Sequence, residues 1–142
     1  MNDNNLKLEN QLCFPLYASA KEVIRKYQPF LDKLDLTYTQ YIAMMVLWEK
    51  IEVTVKGLGD TLFLDSGTLT PMLKKMEVKG LIRRERSKQD ERIVVVTLTD
   101  KGRKLKEEAR EVPQKIGSCI QLEENDAKEL YRILHILLDK LK

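Results

Sequence analysis

Apolar residues near the start of the chain recur at steps of three and four. Leu8, Leu12, Leu16, Ala20, Val23, Ile24, Phe30, Leu31 and Leu34 line one face of an amphipathic helix over 8–34. Pro15 has no amide hydrogen and its ring displaces the carbonyl four residues back, so regular helix is expected from about Phe14. Thr37 or Thr39 can cap a second helix through Tyr41–Trp48, whose almost unbroken apolar character predicts burial on all sides, with Trp48 in the core. Thr54 can cap a third helix, Val55 to about Phe63, in which Gly57 and Gly59 each cost about 1 kcal/mol relative to Ala. After Leu64-Asp65, the stretch Gly67–Lys79 has Leu69, Met72, Leu73 and Met76 on one face, Pro71 in its early turns and Gly80 placed to close it. Two helices joined by so short a link are a helix-turn-helix candidate.

The pattern then changes period. Ile82–Arg86, the polar interval Ser87–Glu91 and the β-branched run Arg92–Leu98 predict a two-stranded hairpin with a charged tip. A lone hairpin is marginal in water, so it should lean on the helices before it, as a wing does. Thr99 caps a long helix, Asp100 to about Gln121, interrupted near Pro113 and Gly117. Asn125 or Asp126 starts a last helix, in which Ala127, Leu130, Leu134, Leu137 and Leu141 suit packing against other helices. The fold class expected is mainly α with a small β-hairpin. It is read as one domain, 1–142, with a winged helix-turn-helix at about 37–99 between dimerisation helices at about 6–34 and 100–142.

Composition narrows the class without changing this picture. With 142 residues, 43% hydrophobic and 33% charged, the chain can bury its own core. No apolar run approaches the roughly 18–20 residues of a membrane span, and Met1-Asn2-Asp3-Asn4-Asn5 does not read as a signal peptide, so a cytoplasmic protein without membrane contact is expected. Cys13 and Cys119 are far apart and His135 stands alone, so no metal site is expected. No phosphate loop, dinucleotide fingerprint or Ser-His-Asp pattern is present, which argues against a cofactor and against an enzyme.

Charge is informative through its distribution. The net charge is only +3, yet Lys74–Arg92 holds eight basic residues against four acidic ones, so this one segment carries the excess. It covers the second helix of the candidate motif and the hairpin, the two elements that meet DNA. Ser66, Thr68, Thr70, Lys74 and Lys75 are candidates for base edges and phosphates in the major groove, and Arg84, Arg86, Asp90 and Arg92 for the wing, with Arg92 suited to a minor groove. Pairing of two chains through the outer helices would give a homodimer that reads a palindromic operator in double-stranded DNA.

At this level of detail the chain resembles the MarR-type transcription regulators, and within them the organic-hydroperoxide sensors called OhrR, close to the staphylococcal MgrA and SarZ regulators. The resemblance covers nearly the whole chain and is carried by Leu8–Phe14, Leu36–Tyr41, Leu64–Glu77, and Asp90-Glu91-Arg92 followed by Leu98-Thr99. It implies a repressor that releases its operator when organic peroxide or another oxidant reaches Cys13. It further implies that Tyr17 and Tyr27 donate hydrogen bonds to the Cys13 thiolate from the same helix, with Tyr38 nearby from the second subunit. The residues themselves support part of this: Cys13 and Tyr17 are four apart and share a helix face, and a donor to sulfur stabilises the anion that attacks peroxide. Some relatives recruit a small thiol to the oxidised cysteine and others close an intersubunit disulfide, for which Cys119 is the candidate resolving residue. Pro15 departs from the family pattern. Two alternatives remain open at this point, a MarR-type regulator released by a small phenolic ligand and a thiol peroxidase.

Overall fold

The computed structural model describes residues 2–142, which divide into two compact units, one ending at Val112 and one running Pro113–Lys142. In the first unit two 3-10 turns, Asp3–Leu6 and Leu8–Asn10, precede α1 (Cys13–Asp32). Regular helix thus starts one residue before the expected point near Phe14, and the apolar positions Leu8 and Leu12 lie ahead of it. Asn10 and Gln11 turn their side-chain amides back onto the carbonyls of Asn4 and Asn5, both at 2.7 Å, and hold the segment in its turns. Pro15 occupies the third position of α1, where no intrahelical donor is required.

Thr37 caps α2 (Tyr38–Lys50) in a reciprocal box with Gln40, so the first of the two candidate caps is the one used. Its burial is not all-round: Ala43, Met44 and Leu47 are buried, but Met45 is exposed and Trp48 only half-buried. Next come β1 (Glu52–Thr54), α3 (Val55–Leu62) capped by Thr54, and α4 (Ser66–Val78) capped by Asp65. Gly80, at φ +78°, ends α4 in a left-handed conformation that glycine takes without strain. Strands β2 (Ile82–Arg86) and β3 (Val94–Leu98) form the expected hairpin, and β1 adds a third, unforeseen strand in the antiparallel order β1-β3-β2. Val96 sits centrally, opposite Val53 on one side and Arg84 on the other.

The core of this unit is Met44, Leu47, Leu58, Leu69, Leu73, Met76, Ile82 and Val96, contributed by α2, α3, α4 and both wing strands. Thus α4 buries one face in the unit and leaves the opposite face to solvent. α5 (Asp100–Ala109), capped by Thr99, enters against the end of α4: Thr99 Oγ1 donates to the Gly80 carbonyl at 2.5 Å, and Trp48 Nε1 donates to the Gly102 carbonyl at 2.9 Å.

The long helix expected after Thr99 is broken at 110–111, just ahead of Pro113, and α6 (Val112–Ile120) begins at the boundary between the units. Gly117 does not interrupt it. α7 (Glu124–Leu141) starts slightly before Asn125, and Leu130, Ile133, Ile136 and Leu141 lie exposed along it. Among the described residues, no helix is long and apolar enough to cross a membrane.

Candidate redox site and nucleic-acid interface

Cys13 is the first residue of α1 and is exposed. Leu12 before it provides no side-chain cap and the first turn has no acidic residue. Tyr17, one turn on, is also exposed, with its ring 6.5 Å from that of Phe14. Tyr27 is elsewhere. It lies 14 residues along the same helix, about 21 Å at 1.5 Å per residue, and hence far beyond hydrogen-bond reach of its own chain's Cys13. The expectation that both tyrosines serve the thiolate from one helix is corrected on this ground.

Tyr27 instead meets α2. Its ring stands edge-on to Tyr38 at 5.0 Å and is tilted against Tyr41 at 5.8 Å, while Tyr38 and Tyr41 are 6.3 Å apart. Burial pushes all three phenols above the ordinary tyrosine range, and at Tyr27 and Tyr41 the neighbouring phenols push in the same direction. They remain neutral donors at physiological pH. One chain thus carries a thiol with one tyrosine at the start of α1 and a three-tyrosine cluster at its far end.

The exposed face of α4 and the wing form the second surface. The Asp65 carboxylate accepts the Thr68 amide at 2.8 Å, which holds it below the usual carboxylate range and fixes the first turn carrying Ser66, Thr68 and Thr70. These three residues, with Lys74 and Lys75, are exposed. At the wing tip, Asp90 Oδ1 accepts the Arg92 backbone N–H and Nε, each at 3.1 Å, and Oδ2 accepts Nη2 at 3.2 Å. The Arg92 side chain is nevertheless 91% exposed, so its guanidinium stands in solvent with its direction set by Asp90. Arg86 Nη1 donates to the Glu91 carbonyl at 2.8 Å across the loop. Arg84, also expected among the wing contacts, has its guanidinium paired with Glu77 at 3.2 Å.

Comparison with known proteins decides the family. Residues 25–109 match the family described as transcriptional regulator SarA/Rot. The chain is 51% identical to the organic hydroperoxide resistance transcriptional regulator of Bacillus subtilis (strain 168), over 97% of this chain and 94% of that protein. The chain belongs to the MarR-type transcription regulators, in the OhrR/SarZ branch. SarZ of Staphylococcus saprophyticus is 40% identical over 99% of this chain and 96% of its own. Among solved structures, reduced AbfR bound to DNA shares 36% identity and a TM-score of 0.78, covering 99% of each chain. Overoxidized AbfR bound to DNA shares 35% with the same TM-score, covering 100% of each.

In this MarR-type chain the structure brings Tyr27 and Tyr38 together and adds Tyr41, which the sequence reading missed although it lies three residues after Tyr38 on α2. Cys119 is exposed on α6, in the second unit. Among the described residues no group of His, Cys, Asp or Glu is arranged for a metal. His135 is occupied locally: its Nδ1 lies 2.9 Å from the Tyr131 carbonyl, and its ring is 4.0 Å from that of Tyr131.

Proposed function

We propose that this regulator is a cytoplasmic homodimer that holds a palindromic operator while Cys13 is reduced and releases it when an organic hydroperoxide oxidises that thiol. The observation that carries the reading is the separation along α1: the thiol and the tyrosine cluster cannot meet within one chain. An antiparallel pairing of two α1 helices would set Cys13 and Tyr17 of one protomer against the Tyr27 and Tyr38 pair of its partner. The exposed Leu12, Phe14, Leu16 and Ile24 provide apolar surface for that pairing.

The chemistry then runs as follows. The Cys13 thiolate attacks the terminal peroxide oxygen, the O–O bond breaks, and sulfur is oxidised to a sulfenic acid. The departing alkoxide takes a proton and leaves as an alcohol. Neutral phenols donate to the thiolate and orient it. Cys119 of the other protomer is the candidate to displace water from the sulfenic acid and form an intersubunit disulfide, which a thiol can reverse. DNA contact falls to Ser66, Thr68, Thr70, Lys74 and Lys75 on α4 and to Arg86 and Arg92 on the wing, with Asp90 aiming Arg92. No cofactor is needed, and the reaction is a single signalling event, not enzymatic turnover.

Mixed dimers test the shared site. A dimer of one Cys13→Ser chain and one Tyr27→Phe chain keeps an intact thiol facing an intact tyrosine across the interface. It should oxidise at the rate of a Cys13→Ser/wild-type dimer. Placing both substitutions on one chain should slow the remaining thiol, and the reverse pattern would refute the intersubunit arrangement. Many peroxide turnovers per protein would instead favour a peroxidase.

A further inference from the structure

The carboxylate of Glu77, in the last turn of α4, ties the recognition helix to the wing. Its Oε2 accepts the backbone N–H of Arg84 at 3.0 Å and its Oε1 accepts Arg84 Nη2 at 3.2 Å. β2 is an edge strand, so alternate amide groups along it point away from β3 and need another acceptor. Glu77 supplies one in the middle of the strand. The Arg84 side chain is only 24% exposed, and its Nε is buried with no hydrogen-bond partner. This contrasts with Arg92, whose side chain is exposed and paired only within its own loop, to Asp90. Both Arg84 hydrogen bonds, the backbone one foremost, hold the Glu77 carboxyl below its ordinary range, so it is a carboxylate at any pH where DNA binding would be measured.

We propose that Glu77, acting through Arg84, is a positioning residue that fixes the wing against α4, so that the α4 face and Arg92 approach DNA as one rigid reading head. The inference rests on the DNA-binding reading above. Arg84 serves the brace and contributes no phosphate contact. At the wing tip the loop is closed locally, by Ser87 N–H to the Ile93 carbonyl at 2.7 Å and Ile93 N–H to the Asp90 carbonyl at 3.0 Å. The tip is therefore a preformed piece whose position relative to α4 depends on what anchors β2. Ile82 packs the base of the strand in the core, and the Glu77 brace is the polar anchor nearer the tip.

The test uses the full-length reduced dimer and a duplex selected by that protein from random sequence. Glu77→Gln keeps the shape and one acceptor for the Arg84 amide but turns an N–H donor toward the guanidinium. In Glu77→Gln and in Arg84→Met alike, hydroxyl-radical protection under the wings should be lost while major-groove protection under α4 persists. The double variant should be no worse than either single one, because both remove the same brace. A merely destabilising substitution would weaken all protections in proportion, and that result overturns the proposal. So does an Arg84→Met protein that keeps its wing footprint while its salt slope falls by about 0.9 per half-site, as removal of a phosphate-binding cation requires. If the wild-type reduced protein selects no duplex, it is the DNA-binding reading that fails.

Discussion

Replacing Gly102 by Ala places a methyl group where α5 presses on the end of α4. A Cβ there would lie 2.2 Å from the Leu81 carbonyl oxygen, 3.2 Å from its carbon and 3.0 Å from Leu98 Cδ2. The first of these neighbours is backbone, so relief requires α5 or the 80–81 turn to move by roughly 1 Å to restore ordinary contact. The joint resists such a move. Thr99 N–H donates to the Leu81 carbonyl at 3.1 Å, Lys101 Nζ to the Lys79 carbonyl at 2.8 Å, and Trp48 Nε1 to the Gly102 carbonyl itself at 2.9 Å. Ala gains about 1 kcal/mol over Gly in helix propensity. Against this stand about 1–3 kcal/mol of overpacking and about 1 kcal/mol for each hydrogen bond disturbed. The clash wins, with a net loss of about 2–3 kcal/mol and a melting temperature lower by on the order of 10 °C. Urea unfolding followed by helical circular dichroism and by the fluorescence of the sole tryptophan, Trp48, measures both the loss and its location. An unchanged or higher midpoint would show that propensity outweighs the clash and would refute the close approach of α5 to the α4–β2 turn.

Other outcomes follow from the same geometry. Arg92→Ala should weaken operator binding by about 1–3 kcal/mol for each base interaction that the guanidinium makes, and should leave the dimer intact by gel filtration; dissociation into monomers would make Arg92 a structural residue. Because Tyr27, Tyr38 and Tyr41 have folded pKa values raised above 10.0, their contribution to stability is complete below that pH and is lost as pH rises through the higher folded values. In an ultraviolet titration three phenols should lag behind free tyrosine, and simultaneous ionisation of all five would contradict the burial. After stoichiometric cumene hydroperoxide, a non-reducing gel should show a covalent dimer that disappears in both Cys13→Ser and Cys119→Ser; a small-thiol adduct on Cys13 would leave Cys119 without a resolving role.

The elements most legible in the sequence were those with both a cap and a periodic apolar face. Thr37, Thr54 and Thr99 each accept the hydrogen bond expected of a helix cap, and Leu69, Met72, Leu73 and Met76 are buried together on α4. β1 escaped because three residues give too short an alternation, and because Thr54 serves both as strand end and as helix cap. Met45 lies on the outer side of an apolar run, where hydropathy alone does not distinguish a buried face from an uncovered one. At the site, Cys13 and Tyr17 share a helix face as their spacing indicates. The place of Tyr27 depends on the length of α1 and on packing against α2, which local spacing does not encode. Arg84 and Arg92 are alike as basic residues in a basic segment. Only the fold ties one of them to Glu77 on α4 and leaves the other, paired with Asp90 in its own loop, exposed.

The central claim, that oxidation of Cys13 is the event that releases DNA, is tested most directly by operator binding of wild-type and Cys13→Ser proteins before and after cumene hydroperoxide. Serine keeps the size of the side chain and removes the oxidisable atom. Both reduced proteins should bind the selected duplex with similar affinity, and peroxide should release the wild type alone. Release of Cys13→Ser by the same dose, or a wild type that stays bound with Cys13 fully oxidised by mass spectrometry, would contradict the account.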